Sequence, residues 1–374
     1  MMNHVLSAIT AALALFAALA APAFAQSQWD GVDRIVVIGD LEGDYAKFED
    51  MLRVSGLIDT DGDWAGGESH LVQLGDIPDR GPDSRAIIDH LRRLEPQARR
   101  AGGYVHALIG NHEAMNVEGD LRYVHPGEYA AFADRRSERR RSQFYRATQR
   151  HLRANPPESG VPVFDDAFRA RWEDAHPLGW VEHRLAWEVS GEYGQWIADH
   201  NAVIRINDTL FMHGGLGPSF ADAPRDAMND AVRSALRGEP SAAYPDILVN
   251  QEGPLWYRGL SLHEEQAEQA HLDALLAFHN VSRIVVGHTK RAPTVLPRFN
   301  GRVLITDIAV PAGYQDPHAF LLIESGAPVT VHRGQRVPVT AVSHAETCAY
   351  LASVAALDEG HSPVGELAAA CAAE

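Results

Sequence analysis

Short apolar runs that stop at glycine set the rhythm of this chain. Arg34–Ile38 ends at Gly39, Leu71–Leu74 at Gly75, and Tyr104–Ile109 at Gly110. Runs this short, rich in branched residues and bounded by glycine, predict buried strands. Later strands are predicted at Ala202–Ile206, Leu210–Met212, Ile284–Val286, Val303–Thr306 and Ala319–Ile323. Between the first three runs, Tyr45–Val54 and Ser84–Arg100 repeat apolar residues at helical spacing, the second behind the start signal Pro82-Asp83-Ser84. Strand–helix alternation predicts an α/β core, and such sheets place ligands at strand ends.

The segment from Val117 to Trp196 changes character. Helical spacing dominates, arginine and tryptophan are frequent, and a helical insertion is predicted over about 117–200. Its run Arg135-Arg136-Ser137-Glu138-Arg139-Arg140-Arg141 reads first as a solvated helix face paired with local acids. A cap that steers anionic substrate is the functional alternative. Trp172, Trp180, Trp187 and Trp196 read as packing residues rather than a substrate platform. The tail Ala341–Ala370 reads as two helical stretches broken at Gly360-His361-Ser362-Pro363, within a terminal unit 341–374.

The polar clusters at the predicted strand ends carry the candidate chemistry. They are Gly39-Asp40-Leu41-Glu42-Gly43-Asp44, Gly75-Asp76-Ile77-Pro78-Asp79-Arg80-Gly81 and Gly110-Asn111-His112-Glu113. A split pair, His213-Gly214-Gly215 and Gly287-His288, completes the set. Carboxylates, an amide oxygen and imidazoles in this order suit a two-metal phosphoester hydrolase, with a histidine and an arginine left for proton transfer and phosphate binding. Asp59-Thr60-Asp61-Gly62-Asp63 begins like a calcium loop but lacks the closing glutamate, so a turn is predicted there.

These clusters resemble the phosphoprotein-phosphatase branch of the calcineurin-like metallophosphoesterases, whose motifs read GDxHG, GDxxDRG, GNHE, HGG and GH. All but the first match unchanged. Gly253-Pro254-Leu255-Trp256-Tyr257-Arg258-Gly259 and Leu74–Pro82 extend the similarity to the bacterial, Shewanella-like protein phosphatases. The likeness runs from about Arg34 to about Glu324. It implies a four-layer fold, a β-sandwich flanked by helices, within a domain spanning 26–340. It also implies metal ligation by Asp40, Asp76, Asn111, His213 and His288, with Asp76 bridging two ions. His112 would be the catalytic acid, Asp79 its carboxylate partner, and Arg80 and Arg258 the phosphate-binding arginines. Asp40, Glu42 and His288 are expected around one ion, Asn111 and His213 around the other. Direct attack by water, with no covalent intermediate, is the implied reaction.

Glu42 departs from the family pattern, which has histidine at this place. Its hard oxygen reaches about as far as an imidazole nitrogen, so ligation by Glu42 is expected. Oxygen at this place favours manganese, with iron, zinc or magnesium as the other candidates.

Composition narrows the setting. A formal net charge of -17 argues against nucleic-acid partners. Residues 1–25 read as a signal peptide: an apolar stretch from Val5 to Ala20 precedes Ala21-Pro22-Ala23-Phe24-Ala25, with cleavage expected before Gln26. The stretch is too short and alanine-rich for a convincing span, so no stable membrane insertion is expected after cleavage. A periplasmic or secreted protein follows, in which the two cysteines, Cys348 and Cys371, are expected to form a bridge. The first functional expectation is an exported protein phosphatase acting on phosphorylated serine, threonine or tyrosine. Small-molecule or nucleotide phosphohydrolysis on the same scaffold is the alternative, and a non-catalytic binding protein the remote one.

Overall fold

The computed structural model describes residues 26–373. The expected signal peptide therefore lies outside the described residues. Two six-stranded sheets form the centre. The first runs β1 (Gln28–Trp29), β5 (Val203–Ile206), β6 (Thr209–Met212), β7 (Arg283–Val286), β9 (Val303–Ile305), β8 (Leu296–Arg298). The second runs β12 (Gln335–Pro338), β11 (Ala327–His332), β10 (Phe320–Glu324), β2 (Arg34–Ile38), β3 (His70–Gln73), β4 (Tyr104–Ala107). The expected strands are all present, within a residue or two at their ends.

In one sheet β2, β3 and β4 are mutually parallel; in the other β6, β7 and β9 are. Six strand ends therefore deliver their following residues to one rim. Parallel strands covered on both faces need nearly continuous apolar sequence, which is what Ile35-Val36-Val37-Ile38 and Ile284-Val285-Val286 supply, all at most 1 % exposed. Helix α1 (Tyr45–Val54) buries Phe48, Met51 and Leu52, three or four residues apart; α2 (Ser84–Arg100) buries Ile87, Ile88, Leu91 and Leu94.

Four strands escape the sequence pattern: β1, β8, β11 and β12. The hairpin β10–β11–β12 turns at Ser325-Gly326 and Arg333-Gly334, with φ positive at both residues of each pair. Such two-residue turns match the strand twist but are usually announced by Asn-Gly or Asp-Gly. β12 is largely exposed, so no apolar alternation marks it.

The insertion holds five helices: α4 (Pro126–Phe132), α5 (Ser137–Ala154), α6 (Asp166–Ala175), α7 (Trp180–Trp187) and α8 (Glu192–Ala198), after α3 (Asn111–Glu118). Its aromatics pack among themselves: Phe144 stacks on Trp180, and Trp172 on His176. Arg140 pairs with Asp134 and Glu182. The packing and solvated-face readings account for these contacts. The calcium-like sequence is a turn in which the Asp59 carboxylate accepts from the backbone N–H groups of Asp61 and Asp63. Among the described residues no helix is long and apolar enough to cross a membrane.

The remaining helices are α9 (Arg225–Leu236), α10 (Gly259–Leu262), α11 (Glu265–His279), α12 (His344–Ala355) and α13 (Pro363–Ala373). Cys348 of α12 and Cys371 of α13 form a disulfide with a Cα–Cα distance of 5.5 Å across 23 residues. Tyr350, on α12, donates its hydroxyl to the Val295 carbonyl and fastens this hairpin to the core. Closing a loop of this size is worth about 3 kcal/mol through the unfolded chain. Replacing both cysteines with serine is expected to lower unfolding stability by about that amount in urea titration. The parent protein, denatured without reductant, is expected to show no free thiol; two per chain would contradict the bridge.

Candidate active site and metal centre

Each motif lands just beyond a strand end. Asp40 follows β2, Asp76 follows β3, and Asn111 and His112 open α3 beyond β4; His213 follows β6 and His288 follows β7. The two sheets together thus assemble what neither holds alone. The chain reaches these positions through unusual backbone. Glu42, Asp76, Asp79, Arg80 and His288 have φ of 48°, 55°, 77°, 64° and 63°. Non-glycine residues seldom adopt this region, and clusters of such residues mark functional sites. Gly110 and Gly287 are needed for a different reason: a Cβ there would collide with Asp76 Oδ1 or Asp40 Oδ1.

His213 is at the centre. Its Nδ1 lies 2.9 Å from the Leu74 carbonyl, which accepts only, so the ring proton belongs on Nδ1. Nε2 then offers a lone pair. It faces Asn111 Oδ1 at 3.0 Å, His288 Nδ1 at 3.0 Å and Asp76 Oδ1 at 3.2 Å. With Nε2 unprotonated, four electron-pair donors converge here, and such a set suits a cation. Asp76, His213 and His288 are all buried. The His288 ring therefore stands with His213 and Asn111, while its backbone N–H donates to Asp40 Oδ1 at 3.0 Å; it was expected in one shell with Asp40 and Glu42. The parallel pairing of β6 and β7 puts the two imidazoles side by side.

Electrostatics agree with a site suited to a positive charge. Burial raises Asp40 to about 7, against the opposing pull of His213 and with a further push from Asp76. Burial lowers the basicity of His213, but Asp76 and Asp40 outweigh it and lift the imidazole to about 10. Burial alone would raise Asp76, yet His213 and His112 hold it well below the usual carboxylate range. Asp307, which follows β9 at 2 % exposure, is pushed well above its ordinary value by burial and by Asp40. Buried charges are retained when paired or when they coordinate metal. The residues present fit divalent cations.

His112 has a different setting. Its Nδ1 lies 2.5 Å from Asp79 Oδ2, and Asn116 Nδ2 donates to Asp79 Oδ1 at 3.0 Å. Nε2 points past Asp76 Oδ2, 3.8 Å away, and His112 lines a cavity of about 670 Å³. Burial disfavours the imidazolium, but the carboxylates of Asp76 and Asp79 outweigh it and raise the pKa. Arg80, Arg258, Tyr123 and Trp256 line the same cavity. Arg258 Nη1 donates to the His288 carbonyl at 2.7 Å and to Thr289 Oγ1 at 3.1 Å. No arginine of the basic run 135–141 lines it.

Glu42, expected as a ligand, turns both its oxygens to cations. Oε2 lies 2.6 Å from Lys290 Nζ, and Oε1 pairs with Arg80 Nη1. Ligation there would have to compete with both cations.

Three residues escape the motif reading. Glu113 accepts from the backbone N–H groups of Gly110, Asp76 and Ile77 at 2.7, 2.9 and 2.8 Å, locking the β3 and β4 loops together. Gln73 does the same between β2 and β3, donating to the Gly39 and Gly75 carbonyls. Asp307 repeats the pattern of an apolar run followed by a carboxylate, a signal present after Val303-Leu304-Ile305.

Residues 33–292 match the family pattern of the calcineurin-like phosphoesterases. The chain belongs to this family. It is a metallophosphoesterase, a hydrolytic enzyme of a family that uses divalent metal ions. Shewanella-like protein phosphatase 2 of Arabidopsis thaliana is 29% identical over 314 residues, covering 78% of this chain and 75% of the relative. An uncharacterised protein of Schizosaccharomyces pombe is 31% identical over 298 residues, covering 77% and 76%. Among solved structures, the cold-active protein-tyrosine phosphatase of a psychrophilic Shewanella superposes with a TM-score of 0.62 at 29% identity, covering 85% and 84%. The two flanked sheets of this metallophosphoesterase are the fold of these neighbours.

If the convergent donors of the metallophosphoesterase hold metal, Asp76 is the least replaceable, because it reaches His213 and His112 at once. Asp76→Ala is expected to lose both bound metal and turnover; elemental analysis showing parental metal content would contradict this.

Proposed function

We propose that this enzyme is an exported phosphomonoester hydrolase that dephosphorylates proteins, using two divalent ions, manganese first among them. The observation that carries this reading is the placement of the His112–Asp79 pair beside the Asp76, Asn111, His213 and His288 donors, in one cavity lined by Arg80 and Arg258. Similarity to proteins named as protein phosphatases over most of the chain supports a protein substrate. The Ala-x-Ala site before Gln26 and the Cys348–Cys371 bridge support export.

Asp76, Asn111, His213 and His288 would hold ions, with Asp40 on the far side of His213, 4.0 Å from its Nδ1. Bound divalent ions supply charge neutralisation at phosphoryl oxygens and a more acidic attacking water. The chain's own groups do the rest. Arg80 and Arg258 offer planar donor forks to phosphoryl oxygens. Asp79 fixes the Nδ1 proton of His112 and stabilises the imidazolium; Nε2 then gives its proton to the departing oxygen. Asn116 holds Asp79 in turn.

Hydrolysis of a phosphopeptide panel, beside nucleotides and a bis-aryl phosphodiester with added manganese, tests the reading; diester or nucleotide preference would overturn it. His112→Ala is expected to lower kcat by about 10²–10⁴-fold with metal retained. The loss should be smaller for a nitrophenyl ester, whose leaving group needs no proton. Equal losses for aryl and alkyl phosphates would remove the acid role.

A further inference from the structure

Glu42 is held by two cations that come from different sheets. Arg80 stands in the loop after β3, and Lys290 lies two residues beyond His288 in the loop after β7. The triad lies at the cavity wall: the side chains of Arg80 and Lys290 are each 43% exposed, and that of Glu42 19%. All three line the 670 Å³ active-site cavity, and all three also line an adjoining cavity of about 440 Å³. The triad is thus a partition between them.

A carboxylate bridged by a guanidinium and an ammonium occupies donors that would equally hold two phosphoryl oxygens. Exposed ion pairs contribute little to stability, so long side chains can exchange one anion for another at small cost. A phosphate monoester carries up to twice the charge of a carboxylate and one more acceptor oxygen, and so outcompetes it.

We propose that Arg80 and Lys290 form a two-cation clamp for the substrate's phosphoryl group, and that Glu42 is the anion the substrate displaces. The inference rests on the phosphoester reading above and adds Lys290 to the substrate-binding residues. Before substrate arrives, Glu42 keeps both cations pointed at the cavity rather than into solvent. When phosphate enters, the two cations turn to it, and the partition between the cavities opens.

Calorimetric titration of inorganic phosphate into the metal-loaded enzyme tests the clamp without requiring turnover. Lys290→Met is expected to weaken phosphate about tenfold, the loss of one charge-assisted hydrogen bond, and Lys290→Arg to recover most of it. In turnover, Lys290→Met should raise KM with kcat changed by less than about threefold, as for lost uniform binding. Glu42→Gln should tighten phosphate several-fold with metal content unchanged, because no anion need be displaced. Phosphate affinity unaltered in Lys290→Met, in a variant whose thermal melt matches the parent, would sink the clamp. Loss of metal together with weaker phosphate in Glu42→Gln would make Glu42 a ligand and overturn the displacement. Absence of phosphomonoester turnover would instead strike the phosphatase reading, leaving the phosphate titration to judge the clamp by itself.

Discussion

A carboxylate buried at a strand end costs free energy unless donors or cations surround it, and Asp76 is surrounded on every side. His112 donates its backbone N–H to Oδ1 at 3.0 Å, His213 approaches the same oxygen, and His112 Nε2 lies beyond Oδ2. Asp40 and Asp307 crowd the same rim. Burial first, and the neighbouring carboxylates after it, raise Asp40 and Asp307, and this buried negative charge makes a divalent cation the natural complement of the site. The folded chain is built to tolerate that charge rather than to relieve it.

Tolerance depends on backbone that cannot relax. Glu113 accepts three N–H groups from two loops, and Gln73 ties a third loop to them, so Asp40, Asp76 and Asn111 are fixed relative to one another. The positive φ at Asp76 is held by this bracing, and that at His288 by its N–H on Asp40 Oδ1 at 3.0 Å and by Arg258 on its carbonyl at 2.7 Å. Strain of that kind persists only where the surroundings over-determine it. A rigid rim also lets His112 keep its line through Asp79 to Asn116, which a mobile loop would blur.

The tail stands apart from this chemistry, whereas the insertion reaches it: Tyr123 lines the cavity, its ring 5.2 Å from that of His112. Glu128 accepts from the Ser84 N–H at 2.8 Å, and Arg184 donates to the Asn116 carbonyl, so the insertion grips the helices that follow β3 and β4. Through Asn116 it touches the residue that orients Asp79. The basic face of α5 stays outside the active-site cavity, consistent with its pairing to local acids.

Much was legible in the residues themselves. Short, branched apolar runs bounded by glycine read as buried strands, and a functional residue just after such a run appears at the strand's end; Asp40, Asp76, Asn111, His213 and His288 all follow that rule. The spacing of α1 and α2 was equally plain, because one face of each helix is apolar. The exposed strand β12 and the unusual turns before and after β11 left no such trace. Which histidine faces which was also hidden, since His213 and His288 are joined only by the pairing of β6 with β7. The fate of Glu42 needed the tertiary structure most of all. Its type and place in the motif suggest a ligand; that Arg80 and Lys290 meet its two oxygens was decided by the fold, because charge is answered by whatever lies nearest in space.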